Sequence, residues 1–217
     1  MALKIGVVSQ KGGVGKSTLC RMIACEYARS GWNTKIADMD ASQGTSYNWQ
    51  RRRIEQGLEP QISVEMFPRI ENALRVEDQF DLIVFDGAPH STQTTVQIAK
   101  ESTLVVLPTG NALDDLEPTI RLAHEMRQAG IPNEKVAIAL CRIGNSPIEN
   151  EEAADYIRKS GFFLLEGAIP ERTSYRRASD MGRAATETTH ASTNERAATL
   201  MKSIVKRISE IEKKETV

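Results

Sequence analysis

The sequence predicts an α/β fold in which a doubly wound, mostly parallel sheet is flanked by helices. Three observations lead there. Short apolar segments alternate with helix-compatible ones almost throughout the 217 residues. Several apolar segments are near-continuous, as in Leu82-Ile83-Val84-Phe85 and Leu104-Val105-Val106-Leu107, which suits strands buried on both faces of a parallel sheet. The first apolar run also feeds a glycine-rich turn that opens a helix, the start of a strand–helix–strand unit.

In chain order, Lys4–Val8 is the first strand, and the helix after the turn, over 18–29, stops at Gly31. Thr34–Asp38 is a strand that ends on an acid, followed by a helix at 45–56. Ile62–Met66 is a strand and 69–79 a helix. Asp81–Asp86 is an apolar strand with an acid at its tip, followed by a helix at 92–99. Thr103–Leu107, Val136–Cys141 and Leu164–Ala168 complete the strands, with helices at 114–129 and 151–160 between them. Two last helices are expected at 174–182 and 192–214. The final one carries Leu200, Ile204, Ile208 and Ile211 on one face, suited to packing on the sheet, and Lys202, Lys206 and Lys213 on another. No internal repeat or low-complexity linker interrupts the pattern, so residues 1–217 are read as one domain with a sizeable core.

Composition narrows the class. Aromatic residues make up only 5%, so the core is built from Ile, Leu, Val, Ala and Met. The formal charge of −1 makes the whole molecule no electrostatic magnet for nucleic acid, and any DNA contact has to come from a local patch. No apolar run approaches the ~18 residues of a spanning helix, and the N-terminus enters a strand at once, which argues against a signal peptide. Cys20, Cys25 and Cys141 lack metal-ligand spacing and read as buried reduced thiols of a cytoplasmic protein. His90, His124 and His190 show no chemical partner in the sequence.

The chemistry begins in the turn Lys11-Gly12-Gly13-Val14-Gly15-Lys16-Ser17-Thr18. A phosphate-binding loop needs glycines so that backbone N–H groups can turn inward, a lysine for the β- and γ-phosphates, and a hydroxyl for Mg²⁺. Gly12, Gly13, Gly15, Lys16 and Ser17 supply these parts. The usual first glycine of the pattern is replaced, since Gln10 stands there and Lys11 heads the loop. Lys16 already serves the chain's own nucleotide, so Lys11 is available to a facing subunit. This is a deviant Walker motif on a P-loop NTPase scaffold, and it implies an ATP-dependent dimer.

Carboxylates complete the site. Asp38 and Asp40 stand at the end of the second strand, in the crevice where ligands of open α/β sheets sit. One orients the attacking water and the other supports the metal's hydration shell. Asp86 has the setting of a Walker B carboxylate and is expected to hold Mg²⁺ through water. Gly87 follows, placed for its N–H to sense a γ-phosphate.

Together these residues resemble the ParA/MinD family of deviant-Walker ATPases, most closely its short ParA plasmid-partition members. Lys11 to Thr18 looks like the family's first motif, Asp38-Met39-Asp40 like its second, and Phe85-Asp86-Gly87-Ala88-Pro89 like its third. Leu107-Pro108-Thr109 with Leu113-Asp114 is similar to a further strand and loop. The second motif departs from the family by running on as Ala41-Ser42-Gln43 rather than Pro-Gln, and the length leaves no room for the extra DNA-reading module of longer ParA proteins. The resemblance implies that Lys11 acts in trans and Lys16 in cis. Gly12, Gly13, Val14, Gly15, Ser17 and Thr18 would surround ATP, Ser17, Asp38 and Asp86 would serve Mg²⁺, and Asp40 would be critical for hydrolysis. It points to Arg142 and Pro170 for the adenine. It further implies a nucleoid-associated homodimer that binds DNA without sequence preference and is stimulated by a cargo-bound adaptor of ParB/ParG type, with no membrane partner.

The basic candidates for DNA are Arg172, Arg177 and Arg183 with Lys202 and Lys206. Arg176 and Asp180 stand at i,i+4 and are expected to pair. Arg51-Arg52-Arg53 beside Trp49 is a second basic run. Two rival classes remain: a MinD-like membrane-cycling regulator, or a positioning ATPase for a protein cargo. Against the first, the final helix has a purely aliphatic apolar face and a mixed-charge tail. A metabolic amidoligase would need a larger substrate region, and an iron–sulfur reductase would need paired cysteines.

Overall fold

The computed structural model describes residues 2–40, 42–89 and 92–215. Seven strands alternate with helices in the order β1 (Leu3–Val7), α1 (Lys16–Arg29), β2 (Thr34–Asp38), α2 (Thr45–Glu55), β3 (Ser63–Met66), α3 (Ile70–Leu74), β4 (Leu82–Asp86), α4 (Thr92–Glu101) and β5 (Leu104–Thr109). Then come α5 (Leu113–Gln128), β6 (Val136–Ile143), α6 (Pro147–Lys159), β7 (Phe163–Pro170), α7 (Thr173–Asp180) and α8 (Ala191–Glu215). The strands form one sheet in the order β3-β2-β4-β1-β5-β6-β7. All neighbouring strands pair in parallel, which bears out the predicted doubly wound α/β fold.

Alternation along the strands divides the core into two layers. Ile5, Val7, Leu82, Val84, Leu104 and Val106 pack with Leu19 and Ile23 of α1 and with Leu200, Ile204 and Ile208 of α8. Ile83, Phe85, Val105 and Leu107 face the other way, onto Ile98 of α4, Leu116 and Leu122 of α5, and Ile157 of α6. The aliphatic face of α8 is thus buried, as its spacing predicted.

Most boundaries shift by one or two residues, and three differences have a physical cause or a consequence for the site. The helix expected over 69–79 breaks into α3 and a single 3-10 turn at Glu77–Gln79. The helix expected from 151 begins at Pro147, because the Ser146 hydroxyl caps it by accepting a hydrogen bond from the Glu149 N–H at 3.3 Å. Strands β6 and β7 run on to Ile143 and Pro170, so Cys141 does not end its strand and Arg142 lies inside one.

The central strand β1 sits between β4 and β5. The chain crosses to one side of β1 for β2 to β4 and to the other for β5 to β7. That reversal opens a crevice at the carboxyl ends of the strands, and the chemistry-bearing residues collect there.

Candidate functional site

The loop between β1 and α1 is shaped by glycine. Gly13 and Gly15 adopt φ of 75° and 107°, in the left-handed region where a side chain is strained. A Cβ on Gly15 would also stand 3.1 Å from that of Cys141, so the loop lies tight against β6. Gly15 precedes the first residue of α1, and no side chain caps that helix. Its first N–H groups therefore remain available to an anion. Lys16, the first residue of α1, is buried and donates from Nζ to the Lys11 carbonyl at 2.8 Å. Burial lowers its pKa, while the negative charges of Asp86 and Asp40 act the other way. Lys11 sends its own Nζ to Asp115 Oδ1 at 2.6 Å.

Asp38 and Asp86 end adjacent strands in matching register, and both are buried. The Asp38 carboxylate is held by three backbone donors. Oδ1 accepts from Asp40 N at 3.2 Å, and Oδ2 from Ser46 N at 2.9 Å and Tyr47 N at 3.2 Å. Burial first, and the neighbouring Asp86 second, push its pKa up to about 6 against the pull of those N–H groups. Asp86 Oδ2 accepts the Ser46 hydroxyl at 2.6 Å. Asp40 is half-buried at the cleft rim, where Oδ1 gathers Ser42 Oγ at 2.6 Å with the N–H groups of Ser42 and Gln43. That Asx-type turn shapes the loop ahead of α2.

Across the crevice, Arg142 has a φ of 57° and arches over the loop. Its guanidinium donates to the Gly13 carbonyl, and its Nε donates to Glu171 Oε2 at 2.7 Å. Glu171 also pairs with Arg176. The resulting cleft of about 460 Å³ is walled by Gly12 to Thr18 except Val14, by Asp38, Asp40 and Asp86, and by Arg142, Pro170 and α7. Val14 is buried beside it. The structure thus brings the predicted loop, carboxylates and adenine-side candidates to one crevice. Ser17, Asp38 and Asp86 present hard oxygen donors of the kind Mg²⁺ prefers, so the donor chemistry fits that ion. Its three hydrogen bonds from backbone N–H groups also tie Asp38 to the turn into α2.

Several expectations are corrected. The Gly87 N–H is engaged by the Val7 carbonyl at 3.0 Å, so it extends the sheet and is not free to sense a phosphate. Glycine is needed there because a Cβ would run into Val8 Cγ1 at 2.7 Å. Arg176 pairs with Glu171 and Thr173 rather than with Asp180, since the end of β7 brings Glu171 closer than the next helical turn. The five candidate DNA cations do not share one surface of the subunit. Arg172 and Arg177 are exposed on and beside α7, which walls the cleft, and Arg183 is exposed where its carbonyl accepts from Trp49 of α2. Lys202 and Lys206 flank Leu3, Tyr27 and Trp32 at the opposite end. Helix α8 runs the length of the sheet, and its sequence says nothing about which end carries the lysines.

Arg51 to Arg53 separate likewise. Arg51 is exposed and 3.8 Å from Glu55, Arg52 reaches the Ser179 carbonyl of α7 at 3.4 Å, and Arg53 is buried against Glu187 at 2.7 Å. The cysteines are free and buried, and burial pushes the Cys25 and Cys141 thiols up to about 12. Among the described residues no cluster of His, Cys, Asp and Glu is suited to a metal, and no helix is long and apolar enough to cross a membrane. His124 lies 3.0 Å from the Arg127 guanidinium, whereas His90 and Ala41 lie outside the described residues.

Sequence reasoning missed Arg21 and Ser46. Both are buried and polar, and they link the carboxylates to α2 and α7. A charged residue inside the otherwise apolar stretch Leu19 to Cys25 of α1 was the available signal.

A sequence model of the CobQ/CobB/MinD/ParA nucleotide-binding domain matches residues 5–185. No curated protein matches the chain by sequence. Among solved structures, the cell division ATPase MinD of Pyrococcus furiosus superposes with a TM-score of 0.75 at 19% identity, over 95% of this chain and 99% of that one. The septum site-determining MinD of Pyrococcus horikoshii OT3, solved with Mg-ADP, gives 0.75 at 18% over 94% and 96%. A Borrelia burgdorferi B31 protein described as a plasmid partition protein, bound to AMPPNP, gives 0.71 at 17% over 95% and 100%. At these identities the likeness is one of fold.

Proposed function

The chain belongs to the CobQ/CobB/MinD/ParA nucleotide-binding domain family, and from that premise we propose that it is a ParA-type ATPase that segregates a plasmid or chromosome. Residues 1–217 act as one ATPase domain, which dimerises with ATP, binds DNA without regard to sequence, and releases it on hydrolysis. An adaptor of ParB/ParG type on the cargo stimulates that hydrolysis.

The observation that carries this reading is the unequal placement of two lysines on one loop. Lys16 is buried and folded back on the loop's own carbonyl, where it meets the β- and γ-phosphates of the bound nucleotide. The Lys11 side chain is 40% exposed and paired with Asp115, so it can exchange that carboxylate for the phosphates of a facing subunit. Amides of Gly12 to Ser17 cradle the phosphates, and Thr18 contacts the α-phosphate. Arg142 and Pro170 border the adenine. Ser17, Asp38 and Asp86 would hold Mg²⁺, which would supply charge neutralisation to the phosphates. Asp40 orients the attacking water. Basal turnover is slow, well below the typical ~10 s⁻¹.

Burial of Leu200, Ile204, Ile208 and Ile211 against the sheet leaves α8 no aliphatic face for lipid, which supports DNA over membrane as the surface used. The test is sedimentation of the protein with ATP and Mg²⁺ against DNA and against anionic liposomes. Co-sedimentation with DNA alone, only with ATP, is the expected result. Capture by liposomes without DNA would overturn it.

A further inference from the structure

Arg21 is 5% exposed and lines the nucleotide cleft from α1. Each of its three nitrogens donates a hydrogen bond. Nη2 donates to the Thr45 carbonyl at 2.7 Å, Nη1 to Ser179 Oγ at 2.9 Å, and Nε to Ser46 Oγ at 3.4 Å. The plane also lies 5.6 Å from the Trp49 ring centroid. Because Ser46 Oγ accepts from Arg21 and donates to Asp86 Oδ2 at 2.6 Å, the three form a directed chain from guanidinium to carboxylate. The Ser46 N–H meanwhile holds Asp38. One serine therefore touches both buried carboxylates, and one arginine orients that serine.

A cation of this kind is an expensive way to fill space, since apolar residues commonly replace a buried charge without loss of stability. Its position is instead that of an outer-layer partner. Such groups orient the side chains that meet a metal, and their loss weakens metal binding. We propose that Arg21 is a positioning residue of the nucleotide site: through Ser46 it holds Asp86 and the first turn of α2 ready for a Mg²⁺–nucleotide, and through Ser179 it ties that arrangement to α7. The inference rests on the nucleotide reading above, and concerns a residue outside the three motifs.

The test is titration with a fluorescent ADP, with Mg²⁺ and with excess EDTA, on wild type, Arg21→Met, Arg21→Lys, Ser46→Ala and the Arg21→Met/Ser46→Ala double variant. Wild type should bind more tightly with Mg²⁺ than without. Arg21→Met and Ser46→Ala should leave metal-free binding essentially unchanged while the Mg²⁺ needed for half-maximal enhancement rises by about 10- to 100-fold. Arg21→Lys should recover part of the loss. The double variant should be no worse than the more damaging single one, as expected for residues acting in series. An equal fall with and without Mg²⁺, an unchanged Mg²⁺ requirement, or additive losses would each overturn the proposal. Should Arg21→Met fail to fold, the smaller Ser46→Ala change decides by the same readings. A wild type that binds nucleotide in neither condition would instead sink the nucleotide reading on which the proposal stands.

Discussion

Lys11 Nζ lies 2.6 Å from Asp115 Oδ1, so the lysine that heads the phosphate loop is paired with the first turn of α5 of its own chain. With 40% and 30% of the two side chains exposed, the pair is worth under about 1 kcal/mol. Such a contact holds the lysine in place and is readily exchanged for a phosphate. Asp115→Ala should leave the unfolding free energy within about 1 kcal/mol of wild type. Lys11→Ala should keep nucleotide binding but lose the ATP-dependent dimer. Light scattering with ATP and Mg²⁺ decides this, and a Lys11→Ala protein that dimerises normally removes the role in trans.

Lys16 and Asp40 should separate binding from chemistry. Lys16→Ala removes the one buried cation of the loop and should abolish nucleotide binding. Asp40→Ala should bind ATP and dimerise, while turnover falls by about 10²- to 10⁴-fold, the usual contribution of a positioned acid–base group. Phosphate-release assays beside nucleotide titration check both. Adaptor-stimulated turnover that survives in Asp40→Ala would falsify the assignment.

The Arg53–Glu187 pair should matter for stability and not for nucleotide contact. Arg53 donates to both Glu187 oxygens, at 2.7 and 3.0 Å, with its side chain fully buried. Truncating Arg53 leaves the buried Glu187 with the partly exposed Arg29, at 2.8 Å, as its remaining cation, so Arg53→Ala should lower the unfolding free energy by up to about 3–5 kcal/mol. Burial opposes ionisation of Glu187, but hydrogen bonds from Arg53 and the Ala184 N–H win, and its pKa is lowered. Its contribution is therefore present above the ordinary carboxylate pKa of ~4 and is lost as pH falls through the lower folded value. Urea melts of wild type and variant from pH 7 downward should converge, and parallel curves would refute the linkage.

Asp38 has the opposite sign. Its folded pKa of about 6 exceeds the unfolded value of ~4, so the folded chain holds the proton more tightly. Its contribution to the stability of the metal-free protein should fall as pH rises from about 4 to about 6 and stay lost above that. Subtracting the Asp38→Asn stability curve from that of wild type, both in EDTA, isolates this slope. A flat difference across that range would rule it out.

DNA binding should follow the cations at one end of the molecule. If DNA lies along α7 and its neighbour Arg52, Arg177→Glu should weaken binding to all sequences alike, and the log–log salt slope should shrink by about 0.9 for each phosphate that is no longer neutralised. Lys206→Glu, beside Leu3, Tyr27 and Trp32 and away from α7, separates the alternatives. A larger effect there than at Arg177 moves the site to the far end.

What could be read from the sequence was whatever local pattern determines. Thr34–Asp38 emerges with its expected bounds because an isolated apolar run ending on an acid has few other solutions. The phosphate loop was legible because its glycine spacing is itself the geometry. The start of α6 was missed although Ser146-Pro147 with Glu149 is a helix-start signature, since the first buried residue of that helix is Ala153. Arg21 and Ser46 were illegible for a deeper reason. Their partners Ser179 and Asp86 are distant in sequence, and only packing of α1, α2, β4 and α7 brings them together. The same holds for Arg53, which reads as one of three surface arginines until Glu187 is placed beside it.

Those distant ties bear on how the protein is made. Arg21 meets Ser179 across 158 positions of chain, and Arg53 meets Glu187 across 134. Translation delivers the N-terminal half first, so the phosphate loop, Asp38 and Asp86 leave the ribosome well before α7 and the turn that carries Glu187. Until those segments emerge, Arg21 lacks Ser179, Arg53 lacks Glu187, and the cleft has no far wall. A growing chain thus carries the phosphate loop well before the residues of α7 that wall the other side of the cleft have been made.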